Sequence, residues 1–374
     1  MADGGTYRVL GLMSGTSADG IDAAILETDG VDHVVPGAAL STPYPGDVQT
    51  RLRAAMTLAQ SWQAGTPMPS LLTEASRLIT QAHAAAIEAF IVREGAGAGH
   101  IDLVGFHGQT VLHRPAEQRT VQLGDGELLA ALVDLDVVGD FRSADVAAGG
   151  QGAPLVPLYH LARAKGLERP LAVLNIGGVS NVTYIGRDDS VLAFDTGPGN
   201  GPLDDWALRH LNTRMDEGGA LARAGTVNAT ALALLLSNPY FAKHPPKSLD
   251  RLDFDLSPVL GLNAADGAAT LAAFTARAIG AALPHLPEAP VRWLVAGGGR
   301  HNPVLMEGLR GVLGVPVDPV EAVGWRGDTL EAEAFCYLAV RSVRGLPLTV
   351  PTTTGVAAPM TGGVLFRKPS ALLS

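Results

Sequence analysis

The chain is 374 residues long, 47% hydrophobic and 17% charged, with a formal net charge of −10 and an isoelectric point near 5.4. That length fits two domains of ordinary size, and so large an apolar share fills a core and argues against wholesale disorder. The acidic balance argues against a nucleic-acid binder or a membrane-surface protein, because phosphate polymers and anionic lipids need a basic face.

Read from the N-terminus, MADGGTYRVL has neither the basic nor the apolar region of a secretory signal. Short apolar runs at 7–12 and 21–27 read as two strands around a turn of small residues. Helices are predicted over 47–62 and 70–93, the second on the stripe Leu72, Ala75, Leu78, Ile79, Ala82, Ala86 and Ala89. IDLVGFHGQT (101–110) reads as a strand entering a turn, ELLAALVDL (127–135) as a short helix and VVGDF (137–141) as a strand. The segment 171–200, LAVLNIGGVSNVTYIGRDDSVLAFDTGPGN, is again strand, glycine turn and strand, with a third strand ending on Asp195. Helices are predicted over 228–236 and 267–283, then a strand, a triple-glycine turn and a helix over 291–313, and a last helix over 328–342. The 267–283 helix carries Arg277 and stops at Pro284, too short and too polar to cross a bilayer. The lone Cys336 allows no intramolecular disulfide and no cysteine metal site. A cytoplasmic protein is therefore expected.

The second half repeats the order of the first. This predicts two related α/β domains with a cleft between them and a hinge near residues 135–142. Four glycine turns follow apolar strands: Gly15-Thr16-Ser17, Gly177-Gly178, Gly197-Pro198-Gly199-Asn200 and Gly297-Gly298-Gly299. Converging backbone N–H groups in such turns suit anionic oxygens, though a hairpin also needs glycine for steric reasons alone. No GxxxxGK[ST] occurs, and no GxGxxG opens a helix after the first strand, so a P-loop and a dinucleotide fold are disfavoured. If the ligand is ATP, backbone and Mg²⁺ must hold its phosphates, with Asp19, Asp22 and Asp195 within reach of the turns; Asp22 equally suits an Asx turn. The histidines show no HxH or HExxH spacing.

GLMSGTSADGID, FHGQT, TVQLGDGELLA, DFRSADVAAGGQGAPLVP, LNIGGVSNVTYI, FDTGPGN and AGGGRHNPVLM resemble, in order and spacing, the bacterial anhydro-N-acetylmuramic acid kinases, from about residue 8 to the C-terminus. The resemblance implies the actin-like ATPase and sugar kinase fold, with domain I over 1–137 plus about 345–374 and domain II over 138–344. It implies a homodimer that uses ATP and Mg²⁺ to open 1,6-anhydro-N-acetylmuramic acid with water and phosphorylate O6, in cell-wall recycling. Gly15, Thr16, Ser17, Ala18, Asp19, Gly20, Ile21 and Asp22 match the first ATP segment, with Asp19 the indirect Mg²⁺ contact. Gly177, Gly178, Gly197, Gly199 and Asn200 match the second phosphate segment, and Gly297, Gly298 and Gly299 the nucleoside side, with Arg300 and Asn302 near the base. Asp195 matches the catalytic base; Asp204, or its neighbour Asp205, supplies a second acid or an N-cap. His107, Gly108, Gln109, Thr110, Arg142 and Glu331 match the sugar side, with Arg142 as counter-ion of the lactyl carboxylate. Where family members carry an arginine two residues after Arg142, this chain has Ala144, following Ser143. The competing readings are an ordinary hexosamine kinase acting on a free hydroxyl and a chaperone-like ATPase, for which the chain leaves no client-binding domain.

Overall fold

In the computed structural model, which describes residues 5–15, 17–249 and 253–369, YRVLGLMS forms β1 (Tyr7–Ser14). The chain returns antiparallel as β2 (Gly20–Thr28) and then β3 (Val34–Pro43). β4 (Leu103–Arg114) lies parallel to β1 on its other side, β5 (Arg119–Leu123) folds back on β4, and β6 (Val137–Gly139) runs parallel to β4. A final strand, Val364–Phe366, closes this seven-stranded sheet against β6. The central strands are apolar on both faces because helices cover both, so they read as continuous apolar runs without alternation.

The second sheet has five strands: β7 (Leu171–Ile176), β8 (Val179–Ile185), β9 (Val191–Pro198), β10 (Arg292–Ala296) and β11 (Val317–Pro319). Its order is β9-β8-β7-β10-β11, antiparallel through β9-β8-β7 and parallel through β7-β10-β11. The first sheet runs β3-β2-β1-β4-β6 with the same directions. The expected duplication of an α/β unit is borne out in the order and direction of five strands, although β3 and β11 lie outside the predicted strands and β5 and Val364–Phe366 have no counterpart in the second sheet.

Each unit has its own core. In the first, helices Gly46–Ser61 and Ser70–Glu94 bury Leu52, Ala55, Leu72, Ile79, Ile87 and Phe90 against one face of the sheet. The stripe of the longer helix passes through His83, Ile87 and Phe90, while Ala89 is exposed: the apolar face steps by four residues from Ala86 to Phe90, where the predicted stripe stepped by three. Helix Leu330–Val343 packs on the opposite face at backbone contact. A Cβ on Gly11 would stand 2.0 Å from the Ala332 carbonyl oxygen, and one on Gly105 2.4 Å from that of Phe335, so only glycine fits there. In the second unit, Leu305, Met306, Leu309 and Leu313 recur at helical spacing along Pro303–Leu313, three of them packing on the sheet with Trp293 and Phe194.

The first unit comprises Met1–Arg163, Thr329–Pro351 and Val356–Ser374, and the second Ala164–Asp328 and Thr352–Gly355. This differs from the division expected at residues 137–138 and about 345. β6 pairs with β4, and helix Leu330–Val343 packs on β1, β2 and β4, so both belong to the first sheet. Residues 135–142 are accordingly not the boundary, which falls at Arg163 and Ala164.

Two fully enclosed histidines make the first unit acid-sensitive. Burial pushes His83 down to about 4 and His160 to about 3 from the usual 6.5. His83 sits between Tyr44 and Phe106 and donates through Nδ1 to the Ile79 carbonyl, 2.8 Å away. Below pH 6.5 the unfolded chain takes up protons that the folded one refuses, so stability falls with pH. The slope is about 1.4 kcal/mol per pH unit for each group, until pH approaches each depressed value. Urea midpoints are expected to drop between pH 7 and pH 5, and His83→Leu to remove its share of that slope.

Candidate active site

The turn between β1 and β2 is braced from beneath by polar side chains. The Ser14 hydroxyl donates to Gln109 Oε1 at 2.6 Å and accepts from the Tyr44 hydroxyl at 2.9 Å, while Gln109 Nε2 donates to the Gly15 carbonyl at 2.9 Å. Gln49 holds the Ala18 carbonyl at 2.8 Å, and Ala18 itself adopts φ 54°. At the rim, Ser17 Oγ donates to Asp19 Oδ1 at 2.8 Å, leaving an exposed carboxylate beside the turn. Gly20 and Ile21 begin β2, and Thr16 lies outside the described residues. Gln109 is fully buried with both ends of its amide engaged by Ser14 and Gly15, which places it with the β1–β2 turn.

His107, Gly108, Gln109 and Thr110 do not form a turn; they lie within β4. The pairing of β1 with β4 slips between Leu12–Phe106 and Ser14–Gln109, so β4 carries one extra residue, and Gly108 takes φ 71° there. Such a bulge re-aims the side chain beside it. His107 stacks on Phe335 with centroids 4.5 Å apart, directs Nδ1 at the Gly108 carbonyl (2.8 Å) and accepts the Arg142 Nε–H at Nε2 (3.0 Å). A ring that donates at Nδ1 and accepts at Nε2 is neutral. Burial, with the Arg142 charge next, holds His107 well below the usual histidine range. Arg142 also donates Nη1 to the Gly152 carbonyl at 2.6 Å, and Gly152 is fixed in turn by its N–H to Asp145 Oδ1, 2.6 Å. Glu331, in the first turn of its helix, is pushed up by burial, pulled down by Arg142 and pushed up again by Asp22. Arg142 and Asp22 are thus the charges that act on Glu331. A cavity of about 280 Å³ opens beside His107 and Gly108, lined also by Gln122, Asp140 and Ser143. That is near the lower end of ligand-pocket sizes. Thr110 contacts Gln122 across β4 and β5 at 3.2 Å.

In the second unit, three glycine turns meet at the end of β7. The amides of Gly199, Asn200 and Gly201 donate to the carbonyls of Gly178, Gly177 and Gly178 at 3.1, 2.6 and 3.2 Å, so the GPGN turn is fastened to the β7–β8 hairpin. Gly199 is required for this closeness: a Cβ would lie 2.2 Å from the Gly177 carbonyl oxygen. Gly297 has φ 75° and packs on Asn175 and Ile176, while Gly298 and Gly299 lie against Asn200. Within this set the N–H groups of Gly177, Gly199 and Asn200 are taken up by protein carbonyls, so these three fasten the turns to one another.

Asp195 does not end its strand, because β9 continues to Pro198. The pairing slips between Ser180–Gly197 and Asn181–Asp195, leaving Thr196 as a bulge next to the aspartate. Ser180 Oγ fills the bulge, touching Thr196 Oγ1 at 2.7 Å and the Gly197 and Pro198 carbonyls at 3.1 Å each. Asp195 is 8% exposed, and its Oδ2 accepts the Leu249 N–H at 2.8 Å. A carboxylate at a bulge, oriented by a backbone amide, suits proton acceptance at one fixed position.

The family model described as "Anhydro-N-acetylmuramic acid kinase" matches residues 7–368. The chain belongs to the anhydro-N-acetylmuramic acid kinase family. It is similar to a curated protein of that name from Rhizorhabdus wittichii, 51% identical over 96% of this chain and 98% of the relative. A second, from Rhodospirillum rubrum, is 53% identical over 99% and 97%. Among solved structures, the activator of the 2-hydroxyisocaproyl-CoA dehydratase from Clostridium difficile aligns over 90% of this chain and 96% of its own. Its TM-score is 0.45 at 10% identity, too remote to bear on fold or chemistry. As a member of this family the chain is a kinase.

Three residues singled out in the sequence have structural duties. Arg300 is enclosed in an ion-pair network with Glu321 at 3.0 Å and Asp328 at 2.8 Å and holds the Gly297 carbonyl at 2.9 Å. Asn302 caps helix Pro303–Leu313 by accepting from Val304 and Leu305. Asp204 lies inside the first turn of helix Gly201–Leu211, whose N-cap is Asn200, and Asp205 is exposed. Sequence reading missed Ser14, Tyr44, Asp145, Tyr240 and Lys247. They act on backbone and on other side chains, and no spacing rule marks such contacts.

Proposed function

We propose that this kinase takes ATP, water and 1,6-anhydro-N-acetylmuramic acid and releases N-acetylmuramic acid 6-phosphate and ADP, in the recycling of peptidoglycan. Water adds to C1 while the C1–O6 bond breaks; O6 bonds to the γ-phosphorus, and the bridging oxygen leaves with ADP. An ether oxygen has no proton to remove, so the base must act on the water. Asp195 is that base, and what supports it is its fixed orientation at the Thr196 bulge. Arg142, held by His107 and Gly152, meets the lactyl carboxylate, and Glu331 faces the same sugar. Gln109 acts on the sugar only through the hairpin it braces.

The β1–β2 turn and the Gly177–Gly178, Gly197–Asn200 and Gly297–Gly299 turns receive the nucleotide. Mg²⁺ asks for only one or two carboxylates besides phosphate and water oxygens, so the exposed Asp19 fits as its contact through water. When bound, the ion offsets negative charge on the phosphates during transfer. We place the working enzyme in the cytoplasm as a homodimer; among the described residues no helix is long and apolar enough to cross a membrane.

The observation that carries the substrate is a match to one family over nearly the whole chain. Coupled ADP release is expected with the 1,6-anhydro sugar and not with open-chain N-acetylmuramic acid. Turnover of the open-chain sugar alone would establish a hexosamine kinase acting on a free hydroxyl.

A further inference from the structure

Asp195 is bound to a strap of chain that no sequence motif announced. Tyr240 donates its hydroxyl to the Asp195 carbonyl at 2.5 Å, the Asp195 N–H donates to the Lys247 carbonyl at 3.0 Å, and the Leu249 N–H donates to Oδ2 at 2.8 Å. The segment Tyr240–Leu249 therefore grips the backbone on both sides of the aspartate and one oxygen of its carboxylate. Its own shape depends on Lys247. That side chain is 8% exposed and donates its ammonium back to the Tyr240 carbonyl at 3.2 Å, closing the strap into a loop. The ammonium also lies 4.6 Å from the Tyr240 ring centre and 5.6 Å from that of Phe194, the residue before Asp195.

Enclosing an ammonium is unfavourable, and burial, with the Lys243 charge second, brings Lys247 down to about 8. A methionine or leucine would fill the same space without that penalty. What the cation adds is directional: a charge-assisted donor to Tyr240 and attraction to two ring faces, all converging on the strap's two ends. We propose that Lys247 is a positioning residue for Asp195, acting through the strap so that the Leu249 amide sets the carboxylate's orientation towards the attacking water. The proposal rests on the reading of Asp195 as the base.

The test uses the full-length enzyme with ATP and 1,6-anhydro-N-acetylmuramic acid, comparing Lys247→Met in the wild-type and Asp195→Asn backgrounds. In the wild-type background kcat is expected to fall about 10- to 100-fold, the upper figure being the loss for a reacting group misplaced by about 1 Å. KM for both substrates should hardly move, and Lys247→Arg should restore most of the rate. In the Asp195→Asn background the same change should cost nothing further. An equal loss in both backgrounds, a wild-type kcat, or a change confined to KM would overturn the proposal. Should Lys247→Met fail to fold, Leu249→Pro removes the N–H on Oδ2, along with the leucine side chain and the backbone freedom around it, and carries the same expectation, with a wild-type kcat again fatal. If Asp195→Asn itself runs near the wild-type rate, the base assignment fails first and is recognised as such.

Discussion

An Asp195→Asn enzyme is expected to turn over about 10²–10⁴-fold more slowly than the wild type, the usual contribution of a positioned general base. That corresponds to about 3–5 kcal/mol of barrier. The substitution is nearly isosteric, and the side-chain oxygen of asparagine can still accept the Leu249 N–H that now holds Oδ2 at 2.8 Å. The Thr196 bulge and the Ser180 contacts that build it involve other atoms, so the fold and the melting temperature should be unaffected. What disappears is the capacity to take a proton from water as it approaches C1. The loss should therefore lie in kcat, with KM for ATP and for the sugar within a few-fold of wild type. Steady-state ADP release gives the rate, and turnover in ¹⁸O-water should place the label on C1 of the wild-type product. A variant that keeps most of the wild-type rate would remove Asp195 from the chemistry.

The duplicated topology was legible because it is written in apolar runs and small-residue turns: β1, β2, β7, β8 and β10 all sit where the runs are. The unit boundary was not legible. β6 is only three residues long and helix Leu330–Val343 comes late in the chain, so their membership of the first sheet depends on pairing with β4 and on the close approach at Gly11 and Gly105. Those two glycines lie inside strand-like runs and look, in the sequence, like any others. The same distinction divides the site. Motif residues such as Asp195, His107 and Arg142 could be named, but the bulges that aim the first two were hidden, since a bulge is a relation between two strands. Gln109 and Gly199 were named for ligand contact, and the bracing and close packing they also provide had no signal in the sequence. The Leu249 amide that orients Asp195 left no trace at all, because every residue except proline offers that N–H.

The sugar side offers the other large effect. Arg142→Lys is expected to lower kcat/KM for the anhydro sugar by about 10²-fold or more, the scale of losing a desolvated charge-assisted contact. Charge is conserved in this change, so the argument is geometric. Arg142 holds its plane by donating Nε to His107 at 3.0 Å and Nη1 to Gly152 at 2.6 Å, two acceptors set by separate elements. A lysine has a single nitrogen on a flexible stem and cannot meet both while matching a carboxylate's two oxygens. His107 cannot adapt, because its Nδ1 faces the Gly108 carbonyl and burial keeps it neutral with Nε2 waiting for a donor. Nearby, burial raises Glu331, Arg142 lowers it and Asp22 raises it again, so the guanidinium already acts on one carboxyl group of its own unit. The loss should appear chiefly in KM for the sugar and leave KM for ATP alone, since none of the bonds by which Ser14, Tyr44 and Gln109 brace the β1–β2 turn involves Arg142. An analogue lacking the lactyl carboxylate provides the control: wild type and Arg142→Lys should handle it almost equally. If Arg142→Lys weakens the analogue as much as the natural sugar, the guanidinium is holding the site together and the lactyl group must bind elsewhere.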